Sequence, residues 1–302
     1  MSFRCGVRVY SGPNEASKEK GVFVLAGEML DAEGLMRSLL SVGAFVVAML
    51  FTSNLFARGS GILFVGNSIT YVGNLPAVYD ALTGQPVKSD MFVRGGAFLT
   101  EFARDPRLEK ALATGRYRLV VLQEQGGNVL CLASKEQRDS DACKATGAAH
   151  IKLARMAKTY GATVVYLGTY QTDPHTSHLL VQSESELAKQ MDVAYAEVSD
   201  SLLALSQAKP NLAWYNPGDL HPGPTLTTLM AVRVAQAAAS TPLEAKDLCT
   251  VAPIYKPSGN DFDGLVVGAD VPQRSKQCCV APRADVRWIL DMVQASTREA
   301  SK

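Results

Sequence analysis

The stretch Ile62-Leu63-Phe64-Val65-Gly66-Asn67-Ser68-Ile69-Thr70 decides how this chain is read. A run of apolar residues ended by turn formers describes a short strand buried on both faces. Gly66 and Asn67 end it, because both residue types tolerate backbone conformations that a strand refuses. Ser68 is then left at the carboxyl edge of the strand with its hydroxyl free. In a parallel sheet that edge is where ligands bind and chemistry is placed. A serine hydroxyl becomes a nucleophile only beside a base, usually with a carboxylate to orient that base. Far downstream, Asp219-Leu220-His221-Pro222 offers both residue types close together.

Outward from this strand, apolar runs alternate with amphipathic stretches. Strands are expected at Gly61–Val65, Lys88–Val93, Leu119–Leu122 and Thr163–Leu167, with a short one near Val198. Helices are expected at Asn74–Thr83, Pro106–Thr114, Asp141–Tyr160, Leu179–Tyr195, Thr225–Ala238 and Arg283–Thr297. Such alternation predicts an α/β fold with a central, mostly parallel sheet, covered on both faces through right-handed crossovers. The expected architecture is a three-layer α/β/α sandwich. Residues 248–281 read as an irregular, disulfide-tied insertion before the last helix.

The chain has 302 residues, 47% of them hydrophobic and 20% charged, which suits a globular domain. A net charge of +1 provides no basic field for nucleic acid. Met36-Arg37 precedes an uncharged apolar run from Ser38 to Phe51, the pattern of a secretory signal. The run is shorter than the ~20 residues that span a bilayer comfortably. Residues 1–35 read as a non-native extension ahead of a start at Met36. Residues 36–57 read as a signal peptide, cleaved near Ala57, or an N-terminal anchor, and 58–302 as the folded domain. The expected location is secreted or periplasmic, with membrane contact only through the N-terminal segment if it stays uncleaved.

Export would remove Cys5 and leave Cys131, Cys143, Cys249, Cys278 and Cys279 in an oxidising compartment, where cross-links are expected. Cys131 and Cys143 would close a short loop. Cys249 could reach Cys278 or Cys279, leaving one thiol over. No Cys-x-x-Cys pair exists, which argues against a structural zinc site. The histidines are His150, His175, His178 and His221. His150 falls within an expected helix, and His175 and His178 lack an obvious third metal ligand. His221, followed by Pro222-Gly223-Pro224, is the best base.

With Gly66-Asn67-Ser68 early, glycines and amides between, and an Asp–His pair late, the chain resembles the SGNH (GDSL-like) hydrolases from about Gly61 to Ala239. The resemblance implies a flavodoxin-like sandwich and a catalytic triad of Ser68, His221 and Asp219. The family's aspartate usually stands three residues before the histidine, where this chain has Gly218. Either Asp219 reaches the imidazole through a tighter turn or a backbone carbonyl orients His221. The implied oxyanion hole comprises the Ser68 amide, the Gly95 amide (Gly96 second) and the Asn128 side chain, with Gln125 and then Gln123 as alternatives. No metal or organic cofactor is implied. The expected function is an exported serine esterase acting on a small-molecule or carbohydrate ester, such as a short acyl group on an envelope component. The alternatives are an acyltransferase of the same fold and a non-catalytic envelope binding protein.

Overall fold

Along β1 (Gly61–Gly66), side chains alternate between two cores. Ile62 and Phe64 enter one hydrophobic cluster, Leu63 and Val65 the other, and none is more than 2% exposed. Each such burial contributes roughly 1.5–3 kcal/mol, so this run specifies a strand sandwiched between two helical layers. The computed structural model describes residues 59–239, 242–249, 262–268 and 279–300. The expected segments 1–35 and 36–57 lie outside the described residues. No helix among the described residues is long and apolar enough to cross a membrane.

The remaining strands of the main sheet are β2 (Asp90–Arg94), β3 (Tyr117–Gln123), β4 (Thr163–Leu167) and β5 (Ala194–Ala196), with one later addition. β6 (Leu248–Cys249) and β8 (Cys279–Ala281) form a separate antiparallel pair, and β7 (Asp263–Val266) joins the main sheet. Its order is β5-β4-β3-β1-β2-β7; β1 to β5 run parallel and β7 antiparallel against β2. Helices Leu75–Thr83, Pro224–Ala237 and Arg283–Ala300 cover one face. Helices Pro106–Leu112, Asp141–Thr159 and Pro174–Met191 cover the other. The expected three-layer α/β/α architecture is what the chain adopts. The chain leaves β1 for β2 on one side and later returns to β3 on the other. A crevice therefore opens at the carboxyl ends of β1 and β3, the position where doubly wound sheets bind ligands.

Three expectations change. The helix expected over Leu179–Tyr195 runs over Pro174–Met191 instead. Asp173 caps its start by accepting from Thr176 N at 2.8 Å, and Pro174 pre-sets the first helical φ. Asp192, at φ 54°, ends it, so Tyr195 lies in β5. The strand expected near Val198 is β5, and Val198 instead precedes helix Ser199–Ala208. The insertion at 248–281 is not wholly irregular, because its described parts supply β6, β7 and β8.

Cys131 and Cys143 form a disulfide with Cα atoms 5.9 Å apart across 12 residues. In the chain-entropy account a loop of this size contributes roughly 2–4 kcal/mol. Cys249 is also disulfide-bonded. The expected choice between Cys278 and Cys279 falls outside the described side chains. No cysteine is free among the described residues.

Candidate active site

Ser68 opens the short helix Ser68–Tyr71 directly beyond β1 and is half-exposed. The turn before it works differently from the sequence expectation. Asn67 is extended, at φ −125° and ψ −152°, and the left-handed glycines are elsewhere. Gly66 is required by close approach. A Cβ there would stand 2.4 Å from Thr70 Oγ1 and 2.5 Å from Gln123 Oε1. Asn67 is an N-cap: its Oδ1 accepts from Ile69 N at 3.0 Å. Its Nδ2 donates to Ala97 O at 3.0 Å and its backbone N to Gln123 Oε1 at 3.2 Å. Thr70 Oγ1 donates to the same Gln123 oxygen at 2.8 Å. The serine turn is thus fastened to the turn after β2 and to the last residue of β3.

Beyond β2 lies the turn Gly95-Gly96-Ala97, with Gly96 at φ 67°. Gly95 is half-buried, and the Asn67–Ala97 bond ties its turn to that of Ser68. At the end of β3, Gln123 is 1% exposed and spends its side chain under the serine turn, with Nε2 donating to Glu124 O. Gln125 and Gly126 line a pocket with Ser68; Asn128 and Gly95 do not. Asn128 starts the 3-10 helix Asn128–Leu132 and turns its Nδ2 toward Thr146 Oγ1 at 3.4 Å. Gln125 Oε1 is buried and has no hydrogen-bond partner.

His221 comes from a doubled-back loop between helices Ser199–Ala208 and Pro224–Ala237. Asn216 N donates to His221 O at 3.0 Å and Gly223 N to Trp214 O at 2.9 Å, with Tyr215 and Pro222 paired between them. Gly218, at φ 93°, takes the left-handed bend at the tip, and this tightens the turn enough to bring Asp219 against His221. Asp219 Oδ1 accepts from His221 N at 2.8 Å and stands 3.2 Å from His221 Nδ1. That second approach is close in distance but poorly aligned, so buried Nδ1 makes no hydrogen bond. Tyr170 Oη pins the loop by donating to Leu220 O at 2.7 Å.

Ser68, Gln125, Tyr170, Gln171, Asp219 and His221 share the walls of one pocket of about 470 Å³. A larger hollow of about 740 Å³ lies between Leu132 and the helix bearing Lys189. No histidine lines it, so chemistry favours the smaller pocket. His150 lies in helix Asp141–Thr159, and His175 and His178 in helix Pro174–Met191, all off the pocket.

Sequence reasoning missed two buried carboxyls behind these walls. Glu184 accepts from Thr169 N and Oγ1, both at 2.9 Å, and from Tyr195 Oη at 2.7 Å, supporting the segment that carries Tyr170 and Gln171. Burial pushes Glu184 from 4.5 up to about 7. Its folded value lies above its unfolded one. The neutral carboxyl therefore stabilises the fold fully below the unfolded value, and that contribution is lost as pH rises through the folded one. Glu184→Gln cannot ionise. Its thermal midpoint relative to wild type should move in the variant's favour as pH rises from about 5 to about 8. A midpoint difference that stays flat over that range would contradict a neutral Glu184. The other missed carboxyl, Glu124, contacts both Leu99 and Gln125.

These elements define a class: a doubly wound α/β domain with a serine and a histidine lining one pocket at its topological switch point. No protein-family model matches the chain, and no curated protein does. Among solved structures, the chain is similar to a candidate SGNH hydrolase from Slackia heliotrinireducens. Identity there is 22%, with 60% of this chain and 99% of that one covered, at a TM-score of 0.48. It is similar to LAE5, an alpha/beta hydrolase enzyme from the metagenome of Lake Arreo, Spain, at 15% identity, 61% and 97% coverage and a TM-score of 0.45. It is also similar to Axe2, an acetylxylan esterase from Geobacillus stearothermophilus, at 13% identity, 60% and 95% coverage and a TM-score of 0.43. The fold assignment rests on the strand order, and the site on its own geometry.

Proposed function

We propose that this chain is a serine esterase that cleaves a carboxylic ester through an acyl-enzyme on Ser68. One observation carries the reading. Ser68 from the end of β1 and the Asp219–His221 pair from a distant loop line the same pocket at the carboxyl edge of the sheet. His221 takes the Ser68 proton as Oγ attacks the ester carbonyl, then returns it to the departing alcohol. Water, deprotonated by the same imidazole, attacks the acyl-enzyme, releases the acid and restores Ser68. Asp219 orients His221 and stabilises its charged form.

The oxyanion receives the Ser68 and Gly95 amides and the side-chain amide of Gln125. Pocket lining supports Gln125 over Asn128 for the third donor. The walls also carry Gln171 and Thr172, polar groups suited to a hydroxylated alcohol such as a sugar, with a short acyl group on the other side of the ester. Export is supported by the apolar run after Arg37 and by the Cys131–Cys143 bridge. A fluorophosphonate probe tests the chemistry: it should label Ser68 rapidly in the wild type, and slow labelling equal to that of heat-denatured protein would refute an activated serine.

A further inference from the structure

Glu124 is 1% exposed and His150 fully buried. Glu124 Oε1 accepts from Gln125 N at 2.7 Å and from Leu99 N at 3.2 Å. Its Oε2 lies 3.3 Å from Leu99 N and 3.6 Å from His150 Nε2. Leu99 N is the first amide of helix Leu99–Phe102, a donor with no partner inside its own helix. Leu99 closely follows the Gly95 turn, and Gln125 lines the pocket wall. One carboxyl group therefore joins the two elements that flank Ser68.

The imidazole fixes where the proton goes. His150 Nδ1 is 2.8 Å from Thr146 O, and a carbonyl can only accept, so Nδ1 carries hydrogen. Nε2 then presents a lone pair to Glu124 Oε2 and has no hydrogen-bond partner. An ionised carboxylate would set two acceptors against each other, so one proton belongs between them. Burial pushes Glu124 up to about 7 and His150 down to about 4, and both directions leave that proton on the carboxyl. Oε1 is then the carbonyl oxygen that holds both backbone amides, and Oε2–H faces His150. The other groups facing the pair are the Asn128 side chain, the Glu101 carboxylate and the Tyr166 phenol, whose ring stands edge-on to His150 at 5.3 Å.

We propose that Glu124, backed by His150, is the positioning residue of the oxyanion site, holding the Gly95 turn and Gln125 at a fixed separation. Its catalytic consequence rests on the esterase reading above; its geometric content does not. Glu124 does not line the pocket, so its loss misplaces donors without removing substrate contacts. The effect belongs in kcat rather than KM. Loss of its proton as pH rises through about 7 opposes Oε2 and Nε2 and loosens the frame.

The test compares wild type, Glu124→Ala and Glu124→Gln by two readouts. The first is hydrogen exchange at the Leu99 and Gln125 amides. The second is kcat and KM for p-nitrophenyl acetate across pH, per site titrated with fluorophosphonate so that unfolded molecules are not counted. In Glu124→Ala both amides should exchange at least ~10-fold faster, and kcat per site should fall about 100-fold, the cost of a lost oxyanion donor, with KM within about threefold. In Glu124→Gln the amide carbonyl replaces Oε1 and should return kcat to within about tenfold of wild type, and the alkaline decline should disappear. Unchanged exchange in Glu124→Ala, kcat per site within about threefold of wild type, or a wild-type alkaline decline that persists in Glu124→Gln would each overturn the proposal. If Glu124→Ala does not fold, the pH profile of Glu124→Gln decides. A wild type that the probe fails to label removes the esterase reading alone, and the exchange rates still decide the frame.

Discussion

Ser68→Ala is expected to abolish hydrolysis of p-nitrophenyl acetate, with kcat falling by on the order of 10⁶, and to abolish fluorophosphonate labelling. The fold should survive. Ser68 is only half-buried, and its main structural duty is performed by its backbone carbonyl, which accepts from Val72 N at 2.9 Å. Alanine keeps that carbonyl and favours the helical backbone. Asn67, the residue that builds the turn, is untouched. His221→Ala should be nearly as severe, and the double variant scarcely worse than either single one, because nucleophile and base act as a unit. Hydrolysis by folded Ser68→Ala within tenfold of the wild-type rate would show that another group attacks the ester.

Asp219→Asn is expected to keep the loop but lose up to ~10⁴-fold in kcat. The side chain has two tasks. It caps the loop by accepting from His221 N at 2.8 Å, which an asparagine oxygen can still do. It also faces His221 Nδ1 at 3.2 Å, where asparagine brings no charge. Nδ1 is buried without a hydrogen-bond partner, and a buried N–H seeks one strongly. A small rotation of the ring or carboxylate would supply it, as resting-state contacts commonly tighten when charge develops. A kcat for Asp219→Asn within about tenfold of wild type would remove Asp219 from the mechanism and leave a Ser68–His221 dyad.

The central strands were legible because they are buried on both faces, and double burial writes a continuous apolar run into the sequence, as in Leu119-Val120-Val121-Leu122. β7 was not. Asp263-Gly264-Leu265-Val266 carries few apolar residues, and Leu265 is 42% exposed. Its strand character comes from pairing with β2, which local composition does not encode. The early start of helix Pro174–Met191 was written in Asp173-Pro174, a cap followed by a first-turn proline, but that signal lay outside the apolar periodicity.

At the site, Ser68 and His221 were legible because strand-end and loop punctuation isolates them. Gln125 and Asn128 could not be ranked from spacing, because the path of the chain after β3 decides which amide meets the pocket. Gly127, at φ 80°, turns that path and sends Asn128 back toward helix Asp141–Thr159. Glu124 was invisible for a further reason. A carboxyl beside a strand end reads as a surface charge until the backbone amides and imidazole that enclose it are known.

The antiparallel seat of β7 on β2 also bears on how the chain assembles. Arg94 Nε bonds Asp263 Oδ1 at 2.9 Å across 169 positions, and Phe262 meets Tyr71 edge-on at 5.2 Å. The parallel strands can pair as soon as their crossovers emerge, but this edge must wait for a segment synthesised near the end. Contacts of such high order close slowly. Until they do, β2 offers an open row of amides and carbonyls to any strand nearby, including another nascent copy of itself. A chain cut short before Asp263 would keep Ser68, Asp219 and His221 yet carry that sticky border permanently, making aggregation rather than lost chemistry its characteristic failure.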